Sequence, residues 1–168
     1  MKLFALLITI LLSVSCNGSR TEEFVTYVRS ADELFRQGKD EEAMNALVKA
    51  EKCYDDDIPS SALGSLKMRK GDIYYRYFDY AEAIGSYEEG AEIFLASGDT
   101  LNYCNALLLL CDASILNLDA SRAHKCISIM KENARFYHGQ SEHAYHLCRI
   151  KLTELEDGAE AAVPLIDT

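Results

Sequence analysis

Aspartate recurs at a fixed interval along this chain of 168 residues, at Asp32, Asp72 and Asp112. Three residues after each stand Phe35, Tyr75 and Ile115, and four after the first two stand Arg36 and Arg76. Carboxylate, guanidinium and ring at helical spacing offer charge-assisted hydrogen bonds and apolar anchorage, the contacts by which a protein surface holds a peptide. Taken singly, each Asp and Arg four apart is an ordinary helix-surface pair worth roughly 0.2–0.5 kcal/mol. Taken as a group, Asp32, Phe35, Arg36, Asp72, Tyr75, Arg76, Asp112 and Ile115 are the set expected to form a protein-binding surface.

A second cluster is His138, His143, His146 and Cys148. His143 and His146 lie three apart on one helix face, with His138 or Glu142 as further ligands, which is the weak form of a zinc site. No HExxH or comparable spacing supports it, so a polar helix surface is the reading preferred and no metal or other cofactor is expected. The run Asp55-Asp56-Asp57 lacks the alternating oxygens, central glycine and closing glutamate of a calcium loop. There is no glycine-rich phosphate loop, no nucleophile elbow and no Ser, His and Asp set, so the chain is read as a non-enzyme without a small-molecule substrate.

The elements that must carry these residues are helices. Two prolines, no tryptophan and abundant Ala, Leu, Glu and Lys predict an all-α chain. Its segments repeat with a period of forty. Ala43, Ala83 and Ala123 are equally spaced, as are Leu47, Tyr87 and Ile127, and Ala31, Gly71 and Cys111. The first hairpin carries Phe24, Tyr27, Val28, Ala31, Leu34 and Phe35 on one stripe, ends its first helix at Gly38 and uses Asp40 as the cap of the next. Asp79 with Glu82, and Asp119, are the corresponding caps later. In the third hairpin Ala123, Ile127, Met130 and Ala134 are expected on the inner face of the second helix. A last helix from Ser141 leaves the chain half a repeat short, as a cap.

These marks resemble the tetratricopeptide repeat (TPR), in which small and aromatic residues at fixed offsets lock a helix hairpin. In the central repeat they fall on Gly71, Tyr74, Ala83, Tyr87 and Gly90, and in the first on Ala31, Leu34, Ala43, Leu47 and Ala50. The third matches at Ala123 and little else. The period exceeds the family's thirty-four, and the usual closing proline is missing. The resemblance implies a right-handed α-α superhelix of about three hairpins (23–57, 59–97 and 99–137) with a half repeat at 141–157. It also implies that Asp32, Asp72 and Asp112 line a concave face, and that the protein binds another protein or peptide. Similar bacterial chains carry such repeats as the sensing half of signalling proteins.

Residues 1–15 read as a signal peptide, with Lys2 before the apolar run Leu3–Leu12, too short for the roughly 20 residues that cross a bilayer about 30 Å thick. Ser13-Val14-Ser15-Cys16 resembles the lipobox of bacterial lipoproteins, which implies lipidation at Cys16. It also implies a tether at 16–22 and export to a bacterial membrane facing the periplasm or cell surface. A diacylglyceryl cysteine anchors durably where one acyl chain would not. Without the leader, sixteen basic residues face twenty-seven acidic, a net charge near −11. That balance repels phosphate backbones, and nucleic-acid binding is excluded from the reading. Cys53, Cys104, Cys111, Cys126 and Cys148 show no CxxC pairing and are expected as buried small hydrophobes, with one bridge among the last four as the alternative. The leading reading is therefore a lipid-anchored repeat protein that binds a protein in the cell envelope. A structural accessory of an outer-membrane assembly is the second reading and a metal-binding protein the third.

Overall fold

The computed structural model describes residues 20–158. Cys16, the signal peptide and the tail from 159 onward lie outside the described residues. The described chain is all α, with no strand: α1 (20–36), α2 (Asp40–Cys53), α3 (Ser60–Arg76), α4 (Tyr80–Ser97), α5 (Thr100–Leu116), α6 (Ala120–Glu132) and α7 (Gln140–Asp157). Helices pack in consecutive pairs, as in an all-α helical repeat. None of them is long and apolar enough to cross a membrane. The chain divides into two compact units, Met1–Leu66 and Lys67–Thr168.

In the first unit α1 buries Phe24 and Ala31. α2 answers with Ala43, Ala46, Leu47 and Ala50, a stripe of small residues that lets two backbones approach. The helices run antiparallel. The start of α1 meets the end of α2, where the Phe24 ring lies 6.2 Å from that of Tyr54 and the Cys53 thiol donates to Glu23 at 3.6 Å. Asp40 does not cap α2. It is the first helical residue, and the cap position belongs to Lys39, whose side chain makes no capping bond. The repeat itself explains the shift, because Lys39, Asp79 and Asp119 are the equivalent positions.

In the second unit Asp79 caps α4 by accepting from the Glu82 N–H at 3.4 Å, and Asp119 caps α6 by accepting from the Arg122 N–H at 3.0 Å. Asp99 caps α5 in the same way through the Asn102 N–H at 3.1 Å. The core joins Ala83, Tyr87, Leu107, Cys111, Ala123 and Met130 with Cys148 and Leu152 of α7. α6 stops before Ala134, which is exposed. Asn133 turns its side-chain amide back to the Ile129 carbonyl at 2.9 Å, and a 3₁₀ turn over Ala134–Phe136 follows. That turn sends Tyr137 inward, where its hydroxyl donates to the Cys104 carbonyl at 3.1 Å.

Each hairpin turns in one way. After α1, α3 and α5 the backbone N–H of Lys39, Asp79 and Asp119 reaches back to the carbonyls of Leu34, Tyr74 and Ser114, at 2.9, 3.0 and 2.8 Å. Such a closure places the preceding residue in the left-handed region. Gly38 takes it at φ 74°, but the equivalent residues are Phe78 (φ 62°) and Leu118 (φ 60°).

Candidate interaction surface

α3 carries Asp72 and Tyr75 one turn apart, and α5 carries Asp112. The Tyr75 hydroxyl donates to Asp112 Oδ2 at 2.5 Å, and Lys151 Nζ of α7 donates to Asp112 Oδ1, also at 2.5 Å. One carboxylate thus joins three alternate helices, α3, α5 and α7, through both its oxygens. Asp72 has a comparable role nearer home. It accepts the Tyr87 hydroxyl of α4 at 3.0 Å and the Arg69 guanidinium of its own helix at 3.5 Å.

Electrostatics follow from this burial. Desolvation holds the Asp72 carboxyl above its ordinary range, although the bonds from Tyr87 and Arg69 pull the other way. Burial, and then the bond to Asp112, pushes the Tyr75 phenol up. Burial is the largest single influence on the Lys151 ammonium and disfavours it, but the bond to Asp112 and the charge of that carboxylate together raise it. Asp72 and Asp112 are therefore already satisfied from within the protein, and each links its helix to a neighbouring one.

The remaining residues of the expected surface are spread out. Arg36 is exposed and pairs with Glu33 at 2.6 Å, Asp32 and Phe35 are half-buried, and Arg76 is exposed. Ile115 is 6% exposed and belongs to the core, so it offers a partner nothing. The residue aligned with Tyr75 is here part of the buried cluster to which α4, α5, α6 and α7 contribute. The structure brings together Tyr75 and Asp112 and sets Asp72 on the same helix as Tyr75.

The histidines are not gathered. No group of three or more His, Cys, Asp or Glu side chains that could hold a metal occurs among the described residues. His138 is tied through its backbone to the Ser141 hydroxyl, which accepts from its N–H and donates to its carbonyl, both at 3.0 Å. His146 meets the ring of Tyr145 edge-on at 5.4 Å, while Cys148 is buried. His124 is the histidine with an acidic partner, its Nε2 lying 2.8 Å from Glu156.

Sequence reasoning missed two features. Lys151 carried no motif, and only its place 39 residues after Asp112 marks it. The other is an apolar edge formed by the turns after α3 and α5. Phe78 is 77% exposed and Leu118 73%, with Tyr77 and Leu116 beside them also exposed. The Tyr75–Asp112 bond joins the C-terminal parts of α3 and α5, which puts both turns on one side of the unit. The rings of Phe78 and Tyr75 flank Tyr80 edge-on, at 6.3 and 5.5 Å. The signal was available in the alignment of Gly38, Phe78 and Leu118, which puts bulky residues where glycine stands first.

A cleft of about 140 Å³ also lies over Leu107 and Leu110 between α4 and α6. It is smaller than the several hundred Å³ usual for a small-molecule site, and an ion pair between Arg122 and Glu88 spans it.

No protein-family model, curated protein or solved structure matches this chain.

Proposed function

We propose that the protein is a lipid-anchored, TPR-like adaptor, not an enzyme, that captures another protein or a peptide in the bacterial cell envelope. The observation that carries the reading is the pair Phe78 and Leu118. A β-carbon in the left-handed region costs roughly 1–2 kcal/mol, and a large apolar side chain left in water contributes little packing in return. Two equivalent turns bear both burdens, at 77% and 73% exposure. Strain combined with exposed apolar surface is the mark of a contact site. The binding edge is then Tyr77, Phe78, Leu116 and Leu118, with the exposed Arg76 beside it. The Asp72 and Asp112 carboxylates support this edge from behind.

The test is affinity capture from detergent-solubilised envelope with wild type and with Phe78→Asn plus Leu118→Asn. Asparagine tolerates the left-handed conformation, so the fold is kept and its helix content is checked by circular dichroism. Loss of specific partners from the double variant is expected, and recovery of the same partners by both would sink the proposal. Arg36→Glu plus Arg76→Glu is the comparison for the face expected from the sequence. Labelling with a palmitate analogue, abolished by Cys16→Ala, tests the anchor.

A further inference from the structure

α4 and α6 each pack on α5 and leave between them the cleft of about 140 Å³. Its floor is Leu107 and Leu110, both buried, and its walls include Leu95 of α4, 60% exposed, and Ile129 of α6, half-buried. A cavity of roughly 150 Å³ lined by apolar side chains holds one benzene molecule, so this cleft has the size of one branched aliphatic side chain and part of a second. Lys125 of α6 and Glu92 of α4, both exposed, stand on opposite walls, while Glu88 is paired with Arg122. We infer that the cleft is a docking groove for an extended apolar segment followed by an acidic residue, and that its occupant is this chain's own Leu165-Ile166-Asp167.

The first support is where α7 ends. Glu156 lies 2.8 Å from His124 Nε2, which fixes the last turn of α7 against α6, the helix that forms one wall of the cleft. At 3.6 residues per turn His124 is on the flank of α6 opposite Arg122, Cys126 and Ile129, so the chain has one helix, about 10 Å across, to pass. Residues 159–164 span up to about 20 Å at roughly 3.3 Å each, which brings Leu165 over the cleft.

The second support is the direction of exit. Residues 38, 78 and 118 close their turns in the left-handed region and lead straight into the next helix. Gly158, at the same place in the repeat, has φ 87° and ψ 167°, a combination essentially confined to glycine, and the extended ψ carries the chain away from such a turn. Pro164 then opposes a helix and favours extended backbone at Val163.

The third support is charge and tether. Lys125 favours an acidic residue at the α6 wall and Glu92 disfavours one at the α4 wall, which sets Asp167 beside Lys125. The chain carries a formal net charge of −10, so a separate acidic peptide is repelled on approach. A segment joined to α7 through a short stretch of chain has an effective concentration in the millimolar range and overcomes that repulsion. The groove is distinct from the edge at Phe78 and Leu118, and its test needs no partner protein.

The experiment treats the full chain with a water-soluble carbodiimide, which joins a lysine amine to a touching carboxylate with loss of one water, and maps the peptides of the monomer. A link between Lys125 and Asp167 is expected. Leu165→Asp plus Ile166→Asp, which alters no described helix, should reduce the link roughly tenfold and lower the melting temperature by roughly 2–5 °C, with helix content unchanged by circular dichroism. Leu95→Asp, at an exposed position of the opposite wall, should reduce the link as well. Three outcomes would overturn the assignment: a link that survives these variants, a Lys125 coupled solely to carboxylates of the helices, or a Lys125–Asp167 link found only between two chains.

Discussion

The ring of Tyr87 occupies the space that any side chain at position 71 would need. A β-carbon built on Gly71 falls inside the van der Waals envelope of the ring edge, and both residues are buried. The helix α3 thus accepts a glycine in its interior so that α4 can approach it, and the same ring directs its hydroxyl to Asp72. Gly71→Ala should lower stability by about 1–3 kcal/mol through overpacking, even though alanine is the better helix former. Urea unfolding measures this. Tyr87→Leu should relieve part of it, so that a double-mutant cycle returns a coupling of the opposite sign to the single loss.

Tyr75 and Lys151 share Asp112 unequally. Both are half-buried, but Tyr75 gives the carboxylate a neutral hydroxyl, while Lys151, whose side chain keeps 41% of its exposure, gives it an ion pair. Tyr75→Phe should cost about 1.5–3 kcal/mol, as expected for a hydrogen bond to a charged group. Lys151→Met should cost less than about 1 kcal/mol, the range of partly exposed ion pairs, and should respond to added salt where Tyr75→Phe does not. Equal losses in the two variants would show that Asp112 does not link the helices in this way.

Asp72 and Asp119 should respond to acid in opposite directions. The folded-state value of Asp119 is lowered, first by the Arg122 backbone N–H it accepts and then by the Arg122 side chain. Its stabilisation is therefore present above the ordinary carboxylate range and is lost as pH falls through the lowered value. The advantage of wild type over Asp119→Asn should shrink on acidification. Asp72 is raised by burial, so the folded protein takes up its proton first. The penalty for keeping it charged is relieved as pH falls through the raised value, and wild type should gain on Asp72→Asn. Thermal melts of the three proteins across pH 3–7 (about the carboxylate range) give both slopes.

Phe78 and Leu118 should be cheap to replace. Phe78→Asn and Leu118→Asn are expected to leave stability unchanged or to raise it by up to about 1 kcal/mol each, because left-handed strain is relieved and little burial is lost. A melting temperature lowered by several degrees in either variant would mean that the side chain packs against the fold and is not a contact residue.

The period of forty made the helix pairs legible. Small residues such as Ala43, Gly71, Ala83 and Ala123 mark close approaches, and all four are buried. Asp79 and Asp119 were readable as caps because the donor they satisfy lies three residues away in sequence. Asp40 was misplaced by one residue because a cap is recognised by type, and the first repeat has Lys39 there. The surface residues were least legible. Helical spacing puts Asp112, Ile115 and Tyr75 on related faces, yet whether each meets water or a neighbouring helix depends on residues nearly forty positions away.

By itself the sequence determined the all-α class, the repeat and the small-residue marks, since these depend on propensity, capping and side-chain volume within a single hairpin. Only the tertiary structure decided what the polar residues do. Asp112 became a link between helices because Tyr75 and Lys151 converge on it. Ile115 became core because its neighbours enclose it. Phe78 and Leu118 were left in water because the turn closure turns residues 78 and 118 left-handed and outward, whatever their side chains. Partners at long separation are set by how hairpins stack, and stacking is a property of the assembled surfaces.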